Sequence, residues 1–170
     1  MTFELKAPAA AGKRELYAAL ALQARALLDG ERDAIANAAN LASLVAHSLP
    51  DLNWAGFYFW KGGELVLGPF HGKPACVRIA LGKGVCGTAA QRRETVVVPD
   101  VHAFPGHIAC DAASRSEIVV PLLRGEELLG VFDLDSPTPG RFDSEDREGL
   151  EQLAQIYLHS LSPQAGRGPG

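Results

Sequence analysis

The sequence predicts an α+β domain: a central, mostly antiparallel sheet, with the helices at the two chain ends on one face and a ligand pocket under loops on the other. Three observations support this class. The chain has 170 residues, of which 47% are hydrophobic, and this suits one domain with a single core. Helical patterns occupy both ends, whereas strand patterns fill the middle. The strands do not alternate regularly with helices, so a doubly wound parallel sheet is not expected.

Two helices open the predicted domain. Residues 13–28 are rich in helix formers and contain no Gly or Pro, and Asp29-Gly30 ends the run. A second helix is predicted from about residue 33 to residue 48, and Pro50 is expected to end it. Its inner stripe is predicted to consist of Ile35, Leu41, Leu44 and Val45.

After residue 52 the pattern changes from helical to alternating. The predicted strands are residues 53–60, 64–70, 76–80, 95–98, 117–123 and 128–135. A short helix is expected over 85–92 and a last helix over about 143–160, with Asp143 as its N-cap. A long loop spans 99–116, and a loop of this length inside a domain is usually functional.

Composition argues against several classes of function. The net charge is −4 and no block of Lys or Arg is present, which disfavours a nucleic-acid partner. No run of about 18 apolar residues could span a membrane, and residues 1–12 lack the apolar core of a secretory signal. We therefore expect a cytoplasmic protein with an extension at 1–12, a single domain at 13–160 and a flexible tail at 161–170.

Three cysteines are an odd number for a disulfide framework, which favours reduced thiols with a redox, catalytic or metal role over inert core residues. Cys86 sits at the predicted start of a helix, where the helix dipole favours a thiolate. Cys110 lies in the long loop, three residues after His107, which either activates the thiol or is a surface histidine. Metal ligation by Cys76, Cys86 or Cys110 with His71, His102 or His107 remains an alternative, although the spacings match no standard zinc pattern.

Two aspartates share one face of the last predicted strand. Asp133 and Asp135 stand at i, i+2, whereas Phe132 and Leu134 point to the other face and toward the core. Glu117 opens the neighbouring strand. A solvated outer face is the simple explanation, but three converging carboxylates would suit an ammonium group or a metal ion.

Aromatic side chains alternate on the first strand. Trp54, Tyr58 and Trp60 share one face, opposite Ala55, Phe57 and Phe59. A strand with aromatics on both faces is covered on both sides. Trp54 and Tyr58 therefore either pack in a core or form the wall of a ligand pocket.

Five segments together resemble a known family, the free methionine-(R)-sulfoxide reductases, which are built on a GAF domain. These are NWAGFY (53–58), GPFHGKPAC (68–76), GKGVCGTAA (82–90), VPDVHAFPGHIACD (98–111) and VFDLDSP (131–137). The resemblance covers about residues 13–160 and includes all three cysteines in their contexts. One position departs from the family pattern, because Ala112 stands where the family has a serine.

The resemblance implies a role for each candidate residue. Cys110 would attack the sulfoxide sulfur, Cys76 would resolve the resulting sulfenic acid as a disulfide, and Cys86 would be a nearby third cysteine of the site. Glu117, Asp133 and Asp135 would hold the substrate ammonium and help to protonate the sulfoxide oxygen, and Trp54 and Tyr58 would line the pocket. The resemblance further implies a thioredoxin-type dithiol reductant, a homodimer, and no organic cofactor or metal.

A sensor domain is the alternative from another class, since GAF domains often bind small molecules and pass a signal to an attached module. The sequence shows no second domain that would serve as output. The cysteines discriminate between the two interpretations: a bonded pair, or a pair within disulfide reach, favours the enzyme, whereas three distant cysteines favour the sensor.

Overall fold

Six strands form one sheet in the order β3-β2-β1-β6-β5-β4, and every pairing is antiparallel. The computed structural model describes residues 3–5, 12–107 and 111–162. Within these ranges the elements are α1 (Lys13–Leu28), α2 (Ala34–Ser48), β1 (Trp54–Lys61), β2 (Glu64–Gly72), β3 (Arg78–Ala80), α3 (Gly84–Arg92), β4 (Val96–Val98), β5 (Ser116–Arg124), β6 (Glu127–Ser136) and α4 (Ser144–Ser160). The predicted α+β class is confirmed.

Helices α1, α2 and α4 cover one face of the sheet. The alternation of β1 sends Ala55 and Phe57 into this core, where both are buried. The Phe57 ring stacks on Phe132 of β6, with centroids 4.6 Å apart, and contacts Tyr157 of α4 at 4.9 Å. Central strands and helices are thus joined through one aromatic cluster on the predicted core face.

The opposite face of the sheet carries α3 and a second apolar cluster. Trp54, Tyr58 and Val131 are buried there together with residues of α3. Both faces of β1 are therefore covered, as its two-sided aromatic pattern predicts. Because α3 covers only part of this face, a cavity remains beside it.

The N-cap of α4 confirms the prediction for Asp143. Its side chain accepts hydrogen bonds from the backbone N–H groups of Glu145 and Asp146, and Asp146 completes a capping box. The buried Asp146 also accepts hydrogen bonds from Tyr17 Oη, Lys13 Nζ and Arg141 Nη1, at 2.8, 2.6 and 3.1 Å. These contacts fix α1 against the start of α4.

The prediction that Ile35 belongs to the buried stripe of α2 is wrong. Ile35 is 52% exposed, whereas Leu41, Leu44 and Val45 are buried as predicted. The buried face of the helix is centred between Leu41 and Val45, and Ile35 lies roughly 100° around the helix from that centre at about 100° per residue. In the described residues, no helix is both long and apolar enough to cross a membrane.

Gly149 permits the close approach of α4 to α1. A Cβ atom built there would lie 2.1 Å from Cγ of the buried Tyr17 ring. We expect Gly149→Ala to lower the free energy of unfolding by roughly 1–3 kcal/mol through overpacking, although alanine favours a helix by about 1 kcal/mol. Urea unfolding measures the change. The control is Glu148→Ala, at an exposed position of the same helix, and a Gly149→Ala variant as stable as this control would contradict the packing argument.

Candidate active site

A cavity of about 530 Å³, including its open mouth, lies between the sheet and α3. Six of the predicted site residues line it, namely Trp54, Tyr58, Cys86, Glu117, Asp133 and Asp135. Cys76 lies next to it, since its neighbour Ala75 is part of the lining. Cys110 lies outside the described residues, but His107 and Asp111 on either side of it line the same cavity. The structure therefore brings the predicted site residues that it describes to one place.

Strand register places three of these side chains in a single row. Asp135 of β6 pairs with Trp54 of β1 on one side and with Glu117 of β5 on the other. Residues directly opposite each other in an antiparallel sheet point to the same face, so an indole ring and two carboxyl groups stand side by side. Like charges in such a position are unfavourable unless one is neutralised or a cation binds between them.

Asp133 stands in the next row of the same face. Its partners are Gly56 of β1 and Val119 of β5. A Cβ atom at Gly56 would lie 2.3 Å from Phe70 Cβ and 2.8 Å from the Trp54 ring. Glycine at this position therefore leaves room for the Trp54 ring in the cavity wall. This ring lies beside the carboxyl groups of Glu117, Asp133 and Asp135, which we call the acidic row.

Both aromatic side chains of the wall hold the segment that leads to Cys76. Trp54 Nε1 donates a hydrogen bond to the Lys73 carbonyl oxygen at 3.1 Å, and Tyr58 Oη donates to the Cys76 carbonyl oxygen at 3.0 Å. The two rings stack with centroids 5.9 Å apart. Trp54 and Tyr58 thus form a cavity wall and bind a backbone segment at the same time.

The two described cysteines differ in state. Cys76 is disulfide-bonded, whereas Cys86 is a free, buried thiol in the first turn of α3. Cys86 Sγ lies 3.9 Å from Glu117 Oε1, a long contact for a weak donor.

At Cys86, burial opposes the thiolate that the start of the helix favours. Burial, followed by the charges of Asp133 and Glu117, raises the pKa of the Cys86 thiol well above its ordinary value. These effects outweigh the helix dipole, which favours a negative charge by only about 0.3–1 kcal/mol at such a position.

Burial also sets the protonation of the three carboxyl groups. It raises the pKa of Glu117 and of Asp135 well above the ordinary range, and the negative charge of Asp133 adds to both shifts. The pKa of Asp133 rises to about 6, because burial outweighs the hydrogen bonds that stabilise its charged form. Burial therefore opposes ionisation of all three carboxyl groups, and the charge of Asp133 opposes it further in Glu117 and Asp135.

His107 faces this cluster and is therefore more than a surface histidine. Its Nε2 lies 3.8 Å from Glu117 Oε2. Burial lowers the pKa of His107, with a further contribution from His102. The raised pKa of Glu117 and the lowered pKa of His107 both disfavour the charged form of this pair.

Asn53 was missed by sequence reasoning. Its Nδ2 donates hydrogen bonds to Asp111 Oδ2 and Ser114 Oγ, both at 3.0 Å, and so ties the long loop to the start of β1. The hydrogen bond from the Ala113 N–H and that from Asn53 lower the pKa of Asp111. The motif NWAGFY contained Asn53, but nothing local indicated a partner 58 residues away.

Among the described residues, the group that could hold a metal ion contains no histidine, so it is not one of the cysteine–histidine combinations considered from the sequence. That group consists of Cys86, Glu117 and Asp133, whose ligand atoms all lie within 4.8 Å of one another. His71 instead packs against His47, with ring centroids 4.9 Å apart.

Comparison with known proteins agrees with this geometry. The GAF domain family matches residues 12–157. The free methionine-R-sulfoxide reductase of Escherichia coli is 53% identical over 141 residues, which cover 83% of this chain and 86% of that protein. The enzyme of the same name from Saccharomyces cerevisiae is 47% identical over 156 residues, 87% of each chain. The X-ray structure of the Neisseria meningitidis free methionine-R-sulfoxide reductase in complex with its substrate superposes with a TM-score of 0.90 at 41% identity, covering 94% of this chain and 96% of that one.

A match of this extent shows that the protein is a GAF domain oxidoreductase. Within that class, the chain belongs to the free methionine-R-sulfoxide reductase family. The family resemblance of the sequence motifs is thereby confirmed.

The raised pKa of Asp133 predicts a pH-dependent cost of folding. Its ordinary pKa is 3.8 and its pKa in the folded protein is about 6, so the native state binds the proton more tightly and loses stability as the pH rises through this window. We expect Asp133→Asn to be more stable than the wild type by roughly 1–3 kcal/mol at about pH 8 and nearly equal to it at about pH 4. Urea unfolding at several pH values measures this difference. Glu127→Gln, at an exposed carboxyl group, is the control; a constant difference across the pH range would contradict the assignment.

Proposed function

We propose that the protein reduces free L-methionine-(R)-sulfoxide to L-methionine, using its own cysteine thiols as the reductant of the substrate. The observation that carries this proposal is the meeting of the carboxyl groups of the buried Glu117 and Asp133 and the half-buried Asp135 with two aromatic rings and a thiol in one cavity. Membership of a reductase family supports the same reaction.

The acidic row suits the α-ammonium group of a free amino acid. In the described part of the chain, no Lys or Arg forms an ion pair with Glu117, Asp133 or Asp135. An ionised carboxylate held this way is costly, and a bound ammonium would neutralise it. A methionine inside a peptide has an amide in place of the ammonium, so this arrangement selects the free amino acid.

The opposite side of the cavity suits the α-carboxylate. Lys83 and Gly84 line it at the N-terminus of α3, where no side chain caps the helix. Backbone N–H groups and the positive end of the helix dipole favour an anion there. The zwitterionic end of the substrate would thus lie between α3 and the acidic row.

The reaction requires a nucleophile and a proton. The Cys110 thiolate attacks the sulfoxide sulfur, and a carboxyl group protonates the sulfoxide oxygen. The resulting hydroxyl group then moves from the substrate sulfur to Cys110 Sγ, which breaks the sulfoxide S–O bond and the transient S–S bond and leaves methionine and a Cys110 sulfenic acid. Glu117 and Asp135, whose pKa values are raised, are the proposed proton donors. The position of His107 and Asp111 in the cavity lining supports this role for Cys110, which stands between them in sequence.

Cys76 would then attack the sulfenic acid, releasing water and forming a Cys76–Cys110 disulfide. The disulfide-bonded state of Cys76 and the free thiol of Cys86 support this pairing. A thioredoxin-type dithiol returns both cysteines to thiols. We infer that no organic cofactor or metal is needed, because the thiols supply both electrons. The homodimer and the cytoplasmic location stay predictions.

A non-catalytic sensor would have no need for a bonded cysteine beside its ligand cavity. A bonded cysteine is expected of the enzyme and not of the sensor, so the disulfide at Cys76 favours the enzyme.

Substrate selection tests the proposal directly. The protein should reduce the free R epimer with a dithiol reductant, and its kcat/KM should exceed that for the peptide-bound R epimer by at least about 100-fold, since a buried polar site rejects an analogue lacking its partner group. Methionine release is measured for free and peptide-bound substrates of both epimers. Reduction of the peptide without reduction of the free R epimer would refute the proposal.

Cysteine variants test the order of the thiols. Cys110→Ser should abolish turnover, because no other thiol replaces the nucleophile. Without external reductant, Cys76→Ser should release one methionine per chain and retain a sulfenic acid that dimedone labels. The wild type should release one methionine and lose two thiols instead. Mapping of the disulfide in Cys86→Ser is the control: loss of the bond in that variant would assign resolution to Cys86 and contradict the role of Cys76.

A further inference from the structure

The acidic cavity offers a second kind of binding chemistry besides that for an ammonium group. Cys86 Sγ and carboxylate oxygens of Glu117 and Asp133 all lie within 4.8 Å of one another. The three residues come from α3, β5 and β6, and all are buried. Ligands on three packed elements are held more precisely than ligands on loops.

The spacing suits a small divalent cation. A tetrahedral zinc ion with Zn–S of about 2.3 Å and Zn–O of about 2.1 Å places its sulfur and oxygen ligands about 3.6 Å apart. Cys86 Sγ and Glu117 Oε1 are already 3.9 Å apart. A shift of a few tenths of an ångström would bring this pair to ligand separation.

An independent observation points to a ligand at the same place. Among the residues that the structure describes, none donates a hydrogen bond to the buried Asp133 Oδ1, and Asp133 is only 5% exposed and lines the cavity. A buried oxygen acceptor without a partner costs about 1–3 kcal/mol, and a cation would satisfy it.

We propose that Cys86, Glu117 and Asp133 bind a thiophilic divalent cation of the zinc type, which occupies the cavity in place of the substrate ammonium and inhibits the enzyme. Binding replaces the Cys86 S–H bond by a metal–sulfur bond and releases the thiol proton, together with any proton that the coordinating carboxyl groups carried. Mixed sulfur and oxygen ligands select zinc, cobalt or cadmium over magnesium and calcium, which prefer oxygen alone. Only the inhibition rests on the proposed function; the binding does not.

Cobalt binding tests the site without reference to activity. The chain has three cysteines, so the full-length Cys76→Ser/Cys110→Ser variant has Cys86 as its single thiol. Titration with Co²⁺ should produce a cobalt–thiolate charge-transfer band that saturates at one ion per chain, with release of at least one proton. Oxidised wild type, in which Cys76 is disulfide-bonded, provides the same measurement in the natural sequence. Absence of the band in both proteins would overturn the proposal.

Substitutions in the double variant identify the ligands. Adding Cys86→Ser should remove the band, and adding Glu117→Gln or Asp133→Asn should raise the apparent Kd at least tenfold. Glu64→Gln, at a carboxylate paired with Arg78 outside the cavity, should leave the Kd unchanged. Equal affinity of the Glu117→Gln, Asp133→Asn and Glu64→Gln proteins would show a thiol binding cobalt alone and would overturn the site.

Competition separates this proposal from the function of the cavity. Free methionine-(R)-sulfoxide should raise the apparent Kd for Co²⁺ in oxidised wild type, and Zn²⁺ should inhibit turnover competitively with substrate. A saturable band that Asp133→Asn weakens, but that substrate leaves unchanged, would support the metal site and overturn its inhibitory role. Failure of substrate reduction with the band intact would instead refute the proposed function.

Discussion

The burial of carboxyl groups on neighbouring strands is the constraint on which the rest of the structure depends. Glu117 and Asp135 stand directly opposite each other, and Asp133 occupies the next row. Such a cluster weakens the fold at neutral pH because its ionisation is opposed by burial. The apolar core under α1, α2 and α4 must compensate, and the strict alternation of β6 keeps the two environments on separate faces of one sheet.

The same burial has different consequences for the carboxyl groups and for the Cys86 thiol. In the proposed reaction, carboxyl groups with raised pKa values serve as proton donors to the sulfoxide oxygen, and Asp133 accepts the ammonium group. Cys86, in the same environment, is pushed toward the neutral thiol and is therefore poorly suited to be the attacking nucleophile. One physical cause, desolvation, thus raises the pKa of the carboxyl groups and of the Cys86 thiol together.

Sequence reasoning found what short-range periodicity determines. Alternation in β6 placed Asp133 and Asp135 on the face opposite Phe132, and the acidic start of the last helix identified its Asp143 cap. It failed where distant contacts decide. The thiolate expected at Cys86 followed from the helix start, but the desolvation that reverses it depends on strands packed against that helix. The contacts of Asn53 with the long loop and the close packing at Gly56 were likewise invisible in local patterns.

Trp54 and Tyr58 have a consequence for how this enzyme family can change. Each ring that shapes the cavity also anchors, through one hydrogen bond, the backbone that carries Cys76. A substitution that enlarges the pocket at either position therefore also loosens the segment of the disulfide-bonded Cys76. Pocket size and disulfide formation are not independent traits in this architecture, and new substrates are more easily reached by altering the α3 side than by altering the aromatic wall.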